Sequence, residues 1–293
     1  MLYAQCWEDL FIRLNHLEHK IHALEEEKNP DGFVYTQLKK DFTILLADAY
    51  RSGDETIRRS AIFGLSKFYR EISADIFIQA LKDRDDNVRG WAADALGKIK
   101  NPAAINHLIN VLDDQNSYVI YNVATALKNY PPHIILPLLT DKLDTTKGNL
   151  CKRLIKILGE IGDESVLDAL IPIFRSDDAE IRYEVAEALR RIGTEKVIEP
   201  FLFALYDSCV DIKIVAIAAL KEFKEKRAIK PLIKIILEQK NLRPYAIEAL
   251  QYVCGEHALE PVWKMLKNAK KLINDTYLDI ETLCSKEDLP LNI

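Results

Sequence analysis

The sequence has few of the residues that interrupt regular structure, and it has no long hydrophobic run. Of 293 residues only 10 are glycine and 11 are proline, fewer than a turn-rich all-β protein uses. No stretch approaches the roughly 18 consecutive apolar residues typical of a membrane-spanning helix, so no membrane contact is expected. The amino terminus has no basic segment followed by an apolar block, so no secretory signal is expected either.

Paired cysteines and a strong excess of charge are also missing. The five cysteines never occur as CxxC pairs, which argues against a zinc knuckle or a redox dithiol and indicates reduced thiols in a cytoplasmic protein. The formal net charge is only −5, which argues against nucleic acid as a partner. A composition that is 48% hydrophobic and 29% charged is that of a soluble, folded protein.

One pattern returns along the chain at a nearly constant step. Its first position is apolar and its second is often arginine. Two variable positions, a small or apolar residue, three variable positions and a leucine follow. Its starts are separated by 31 residues five times and by 30 once, and they lie at Ile57, Val88, Val119, Leu150, Ile181, Ile212 and Leu242. The closing leucines keep this step, at Leu65, Leu96, Leu127, Leu158, Leu189, Leu220 and Leu250. A fixed period of about 20–50 residues predicts stacked structural repeats.

Each unit has the periodicity of two helices. In the second unit the apolar stripe of the first helix is Val88, Ala92, Ala95, Leu96 and Ile99. Asp85 and Asp86 precede it and suit the free amides of a helix start. A turn at Lys100-Asn101-Pro102 leads to a second helix, whose apolar residues are Ile105, Leu108, Val111 and Leu112.

The run of residues 85–99 resembles the short HEAT repeat typified by phycobilisome lyase subunits. Asp178 to Arg182, closing at Ala188-Leu189, is similar to it as well. The resemblance covers about residues 54–267. It implies an all-α fold, an α-solenoid of about seven αα-hairpins, in which the helix that carries the pattern is the inner one and lines a concave face.

The resemblance also implies a polar ladder of aspartate and arginine between repeats. The matching residues are Asp54, Arg58, Asp85, Arg89, Asp178, Arg182 and, in the seventh unit, Arg243. The third and fourth units depart from it, with Asn116/Ile120 and Lys147/Cys151. We therefore expect superhelical curvature to change near the polar run 144–149.

The ends of the chain do not follow the repeat. We expect a capping helix and turn in residues 1–32, the solenoid in 33–267, and a last helix with a polar tail in 268–293. Leu10, Leu14, Leu17, Ile21 and Leu24 form a heptad-like seam. Two interpretations stay open, a cap over the first apolar face and an intermolecular coiled coil. The cap is favoured because two to three heptads are short for an independent zipper.

The sequence holds no convincing catalytic or metal-binding set. His16, His19 and His22 share one predicted helix, but no carboxylate or thiolate completes a metal site. The HEAT-like iron hydroxylases depend on repeated His-Glu pairs, which are missing here. No Gly-rich phosphate loop, GxSxG or HExxH motif occurs. We therefore expect no catalytic residue, no metal and no cofactor.

Trp91 and Asp94 resemble part of the nucleotide-binding set of another HEAT-like family. HEAT-like alkylpurine DNA glycosylases hold a damaged nucleotide with groove tryptophans and an aspartate, and this pair resembles that set only in part. A second groove tryptophan is missing, and the acidic chain opposes binding to phosphates. The favoured interpretation is an ordinary groove-edge aromatic beside a solvated carboxylate.

Positions that face away from the apolar stripe predict the binding surface. Aromatic residues alternate there with charges of both signs, a mixture that favours a protein or peptide partner in the concave groove. The candidate binding residues are Trp91, Tyr121, Lys152, Arg153, Lys156, Tyr183, Arg191 and Tyr245.

Three functions follow from these observations. The leading one is a non-enzymatic scaffold or adaptor that binds a protein along the concave face. The second is a bilin lyase or lyase-like chaperone subunit, in which Arg153 or Arg191 would hold the propionates of an open-chain tetrapyrrole. The third is a HEAT-like DNA-binding protein or glycosylase.

Overall fold

A computed structural model describes residues 2–26, 32–52, 54–67 and 74–254, and all regular structure in them is helical. The α-helices are α1 Leu2–Glu26, α2 Gly32–Ser52, α3 Glu55–Lys67, α4 Ala74–Ala80, α5 Asp86–Ile99, α6 Ile105–Val111, α7 Ser117–Lys128, α8 Pro132–Asp144, α9 Gly148–Ile161, α10 Leu167–Ile173, α11 Ala179–Ile192, α12 Ile198–Ala204, α13 Val210–Glu222, α14 Ile229–Glu238 and α15, residues 243–254. Single 3-10 turns lie at Pro102–Ala104, Glu164–Val166, Glu195–Val197, Lys226–Ala228 and Lys240–Leu242.

The chain forms two compact units, Met1–Arg153 and Leu154–Ile293. The predicted repeat pattern falls on α3, α5, α7, α9, α11, α13 and α15, which we call the pattern helices; α4, α6, α8, α10, α12 and α14 are the returning helices. In the first unit α3 packs against α5 and α5 against α7, and in the second unit α11 packs against α13. Each unit is therefore built of helical hairpins whose pattern helices pack side by side.

The second repeat shows why the sequence folds in this way. The Asp85 side chain accepts a hydrogen bond of 3.0 Å from the Val88 amide, which satisfies a free donor at the start of α5. The helix ends at Lys100, whose left-handed backbone (φ 57°) lets its amide donate to the Leu96 carbonyl. The Asn101 side chain then caps the turn that starts α6. The predicted capping aspartate and the predicted turn are both present.

The leucines that close the pattern form the centre of the hydrophobic core. Leu65, Leu96 and Leu127 are fully buried, and the others are at most 3% exposed: Leu158, Leu189, Leu220 and Leu250. Removing such a side chain from water contributes about 1.5–3 kcal/mol. The apolar stripe is thus the main source of stability in each repeat.

The seventh repeat starts differently from the others. Leu242 is buried but lies in a 3-10 turn, and α15 begins one residue later. In the other six repeats the pattern helix begins two residues before the first apolar position. This later start of the helix occurs in the repeat that follows the single step of 30 residues, from Ile212 to Leu242.

Two glycines bring neighbouring pattern helices into close contact. A Cβ atom on Gly97 would lie 2.6 Å from the Ala126 Cα of α7, and one on Gly159 would lie 2.5 Å from the Ala188 Cα of α11. Only a residue without a side chain fits at this distance from a backbone. Gly97 and Gly159 thus set the spacing of α5 to α7 and of α9 to α11.

The first helix packs within the chain. α1 contacts α2, and Ile21 of the heptad-like seam is 2% exposed while Leu14, Leu17 and Leu24 are half-buried. The predicted turn at the end of residues 1–32 lies outside the described residues except for Gly32, which begins α2. The predicted helix and tail in 268–293 also lie outside them, and the three segment boundaries stay predictions. Among the described helices, none combines the length and apolar composition that crossing a bilayer requires.

Candidate functional site

Arg182 of α11 connects two successive loops of the second unit. Its guanidinium donates hydrogen bonds of 2.8 and 2.9 Å to the Asp207 carboxylate, which lies 25 residues later. The same side chain donates to the Ser176 and Asp177 carbonyls, at 2.7 and 3.1 Å, in the loop before its own helix. A bidentate pair of this kind fixes geometry as well as charge.

Arg89 repeats this arrangement in the first unit. It donates to the Asp114 carboxylate at 2.7 and 3.0 Å and to the Asp83 and Arg84 carbonyls at 2.9 and 3.1 Å. Arg58 binds the Asp83 carboxylate in the same way, at 2.9 and 3.2 Å. We call these three arginine–aspartate contacts the loop clamps.

The aspartates of the loop clamps are not those that the sequence predicted. Asp54 and Asp178 accept hydrogen bonds from the first amides of their own helices, so they act as helix caps. Asp85 also caps its helix, and in addition it pairs with Arg59 rather than with Arg58. The ladder implied by the resemblance therefore uses other carboxylates, because a capping side chain points along its own helix.

The missed aspartates follow the repeat step. Asp83, Asp114 and Asp207 are separated by 31 residues and by three times that step, and each lies two residues before a cap position. Thr145 and Ser176 occupy this position in the repeats where Ile120 and Cys151 replace the arginine. The arginine donor and the aspartate acceptor are therefore both missing from the same repeats, and this joint loss could be seen in the sequence.

The electrostatics of the loop clamps are consistent with this geometry. Burial by itself would raise the pKa of Asp207, but the Arg182 guanidinium and the Cys209 amide hold that pKa below its ordinary value. The pKa values of Asp83 and Asp114 are lowered against burial by the same two kinds of donor. The three carboxylates are thus ionised at neutral pH.

Arg243, predicted as the last member of the ladder, has a different contact. It is 4% exposed, and its Nε atom donates a hydrogen bond of 2.9 Å to the Ile236 carbonyl. Ile236 belongs to the last turn of α14. Arg243 therefore links a pattern helix to the returning helix that precedes it.

The basic cluster predicted in the fourth repeat is largely engaged within the protein. Arg153 donates to the Leu112 carbonyl and, at 3.4 Å, to the Asp114 carbonyl, and it lies 3.9 Å from the Asp113 carboxylate. The side chain therefore holds a loop, and its role as a groove residue stays a prediction. Lys152 is half-buried and Lys156 is exposed on the following turn.

Trp91 lies in an aromatic contact with the preceding repeat. Its ring centroid is 5.2 Å from that of Phe63, and the Lys67 ammonium lies 4.7 Å above the Phe63 ring. Asp94 pairs with Lys98 at 2.6 Å. The two residues compared with a glycosylase set are thus engaged with neighbours in their own unit.

The predicted tyrosines remain accessible. Tyr121 is 71% exposed in the first unit, and Tyr183 and Tyr245 are 38% and 44% exposed in the second. Tyr252, about two turns beyond Tyr245 on α15, is 58% exposed. Exposed tyrosines on pattern helices are therefore common to both units.

Charges beside the tyrosines of the second unit pair with each other between repeats. Arg191 lies 3.6 Å from Glu160 of the preceding repeat, and Arg190 lies 3.3 Å from Glu222 of the next one. Lys221 pairs with a carboxylate on α15, that of Glu248, at 2.9 Å, and its ammonium lies 5.1 Å from the Tyr252 ring. Three ion pairs between repeats therefore lie beside the exposed tyrosines of the described pattern helices in this unit.

The histidines of α1 do not converge. His19 contacts the Asn15 carbonyl through Nδ1 at 2.7 Å, and His22 lies 3.5 Å from Glu25. In the described part of the chain, no three histidine, cysteine or acidic side chains meet in a way that could hold a metal ion.

Comparison with known proteins decides the family. The family described as HEAT repeats matches residues 44–128 and 136–211, more than half of the chain. This chain is a HEAT-repeat protein. The recognition from the 31-residue pattern is confirmed, and so is the all-α solenoid class of the fold.

Relatives of this HEAT-repeat protein cover it only in part. Protein YibA of Escherichia coli is 28% identical over 138 residues, 46% of this chain and 49% of YibA. The chain therefore spans about half the length of the curated relatives it matches. The structure of importin beta has the same fold, with a TM-score of 0.53 at 10% identity over 75% of this chain and 36% of that one. The CpcE–CpcF complex of phycocyanin lyase from Nostoc is 22% identical over 78% of this chain and 96% of that one, with a TM-score of 0.37.

Proposed function

We propose that this HEAT-repeat protein is a non-enzymatic adaptor that binds a protein or peptide partner through its pattern helices, on the face expected to be concave. The observation that carries the proposal is the accessibility of Tyr121, Tyr183, Tyr245 and Tyr252 on those helices. Tyrosine combines a large apolar ring with a hydroxyl and few rotatable bonds, so it gives binding energy at a small entropic cost.

The ion pairs around the tyrosines support the same proposal. Glu160–Arg191, Arg190–Glu222 and Lys221–Glu248 hold their side chains in place between repeats. A surface whose charged groups are already ordered loses less entropy on association. Such a surface also favours a partner that presents apolar and hydrogen-bonding groups over a highly charged polymer.

The other two functions have weaker support. A lyase-like subunit would need a cation for the bilin propionates, but Arg153 contacts loop carbonyls and Arg191 pairs with Glu160. DNA binding would need basic groups for the phosphates, and Lys98 of the first unit already pairs with Asp94. The adaptor is therefore the function that we carry forward.

Affinity capture with paired variants tests the adaptor. Wild-type protein is compared with Tyr183→Ala/Tyr245→Ala, and His133→Ala serves as a control on the exposed side of α8. We expect a partner captured by wild type and His133→Ala, whose purified form binds the double variant about tenfold or more weakly. Equal affinity for all three proteins, or the lack of any reproducible partner, would refute the proposal.

A further inference from the structure

An open apolar cleft lies on the returning helices of the second unit, apart from the tyrosines of the pattern helices. It has a volume of about 410 Å³ between α10 and α12, and its apolar walls are formed by Ile171, Phe174, Pro200, Phe203 and Ala204. This volume is within the range of about 300–1,000 Å³ found for ligand clefts.

The walls of the cleft are held by the core. Phe174 is half-buried and its ring packs edge-on against fully buried Phe201, with 6.3 Å between centroids. Phe203 also lines the cleft, and it is 75% exposed although its neighbours Phe201 and Ala204 are buried. Tyr206, one turn further, is 63% exposed. Exposed aromatic side chains beside a preformed apolar cleft mark an interaction surface.

The charges at the rim indicate what kind of partner fits. Two carboxylates line the cleft, but Glu199 pairs with Arg227 and Asp207 is held by Arg182. Arg175 is exposed at the rim, and no described residue pairs with it. The only rim charge left without a described counter-ion is therefore positive, which complements an acidic group on the partner.

We propose that the cleft between α10 and α12 binds a peptide segment of a protein partner that inserts one phenylalanine- or leucine-sized side chain between Phe174 and Phe203 and places an acidic side chain on Arg175. The inserted side chain gains by removing its apolar surface and that of Phe203 from water. The acidic residue gives orientation, because a guanidinium binds a carboxylate in a defined plane. This surface is independent of the proposed binding by the tyrosines.

Selection from a phage-displayed library of short random peptides tests the cleft on the full-length protein. Peptides are selected on wild type and their affinities are then measured on Phe203→Ser, Arg175→Glu and, as an exposed position outside the cleft and outside the tyrosine surface, His133→Ala. We expect enriched peptides with an aromatic or leucine residue next to Asp or Glu. Both cleft variants should bind them about tenfold or more weakly, and His133→Ala should bind them as wild type does.

Three results would overturn the proposal. One is that no enriched peptide depends on the cleft, so that every enriched peptide binds both cleft variants as tightly as wild type. Another is enrichment of basic peptides that bind Arg175→Glu more tightly. The third is a concentration-dependent dimer that Phe203→Ser abolishes, which would assign the cleft to a second copy of this chain. Arg175→Glu leaves the apolar walls intact and keeps the test valid if Phe203→Ser lowers the melting temperature.

Discussion

The Arg182 guanidinium and the Asp207 carboxylate, 25 residues apart in sequence, share two hydrogen bonds of 2.8 and 2.9 Å, and both side chains are 12% exposed. Because Arg182 also donates to the carbonyls of Ser176 and Asp177, one side chain ties together the loops before and after its hairpin. The loop clamps thus connect neighbouring repeats through their loops as well as through their apolar stripes.

Removing the arginine of a loop clamp should destabilise the fold strongly. We expect Arg182→Ala to lower the free energy of unfolding by about 2–4 kcal/mol, because it leaves the Asp207 carboxylate and two loop carbonyls without their main donor. Urea unfolding followed by circular dichroism measures the change.

Lys196→Ala is the matched control for this variant. Lys196 also pairs with a carboxylate of the neighbouring repeat, that of Glu164, but the two side chains are 69% and 48% exposed. We expect a much smaller loss than for Arg182→Ala, since water screens an exposed pair. Equal losses for Arg182→Ala and Lys196→Ala would contradict the role of the clamp.

The loop clamps also predict a decline of stability in acid. The pKa of Asp207 is lower in the folded state than in the unfolded chain, so its contribution is complete above the unfolded value of about 3.9 and is lost as the pH falls through the folded value. We expect the free energy of unfolding to be nearly constant from about pH 7 to 5 and to fall below about pH 4. Asp207→Asn should be less stable at neutral pH and should show a shallower acid slope. An acid slope equal to that of wild type would exclude Asp207 as a contributor.

The close approach of α5 and α7 predicts an unusual response to alanine. Alanine in place of glycine normally stabilises a helix by about 1 kcal/mol, but in Gly97→Ala the new Cβ would lie 2.6 Å from the Ala126 backbone. We expect Gly97→Ala to be destabilised by about 1–3 kcal/mol, because the two helices must separate. In Gly64→Ala the new Cβ meets the end of the Leu46 side chain at 3.0 Å, so a smaller change is expected. A gain of stability in Gly97→Ala would disprove the backbone contact.

Tyr130 predicts a decline of stability in alkali. Its phenol is 2% exposed and can donate to the carbonyls of Leu96 or Asn101, at 3.2 and 3.1 Å, and burial raises its pKa to about 12. Its contribution is complete below the unfolded value of about 10 and is lost as the pH rises toward the folded value. We expect Tyr130→Phe to lose about 1 kcal/mol at neutral pH and to lose part of the alkaline decline. Tyr50, whose pKa is also raised to about 12, should account for a remaining part. Unfolding curves at several pH values above 9 check both points, and an alkaline decline unchanged in Tyr130→Phe would contradict the burial of this phenol.

The fold was predictable because every repeat of the sequence contains the same apolar stripe. Leu96 and its six equivalents recur at one step, and all of them are buried. The spacing between helices was not predictable from the same pattern. Gly97 and Gly159 occupy a position that is lysine or arginine in other repeats, Lys128 and Arg190, so their contact with a neighbouring backbone becomes clear only in three dimensions.

The candidate site was predictable in composition but not in its contacts. Periodicity placed Tyr121 and Tyr183 away from the core, and both are exposed. Periodicity could not show that Arg153 extends to the loop before α7, the pattern helix of the preceding repeat, since a long side chain reaches groups far from its own helix face. The exposed ring of Phe203 was not predicted either, because an aromatic residue in a hydrophobic helix is normally assigned to the core.

Site-specific photocrosslinking tests the proposed function most directly. A photoreactive phenylalanine analogue is placed at Tyr183 on α11, and in a second protein at His133 on α8, and each protein is irradiated in cells that contain the partner. We predict one dominant crosslinked protein from position 183 that is missing from position 133 and that disappears when Tyr245→Ala is added. The same crosslinked proteins from both positions, or none from position 183, would contradict binding through the pattern helices.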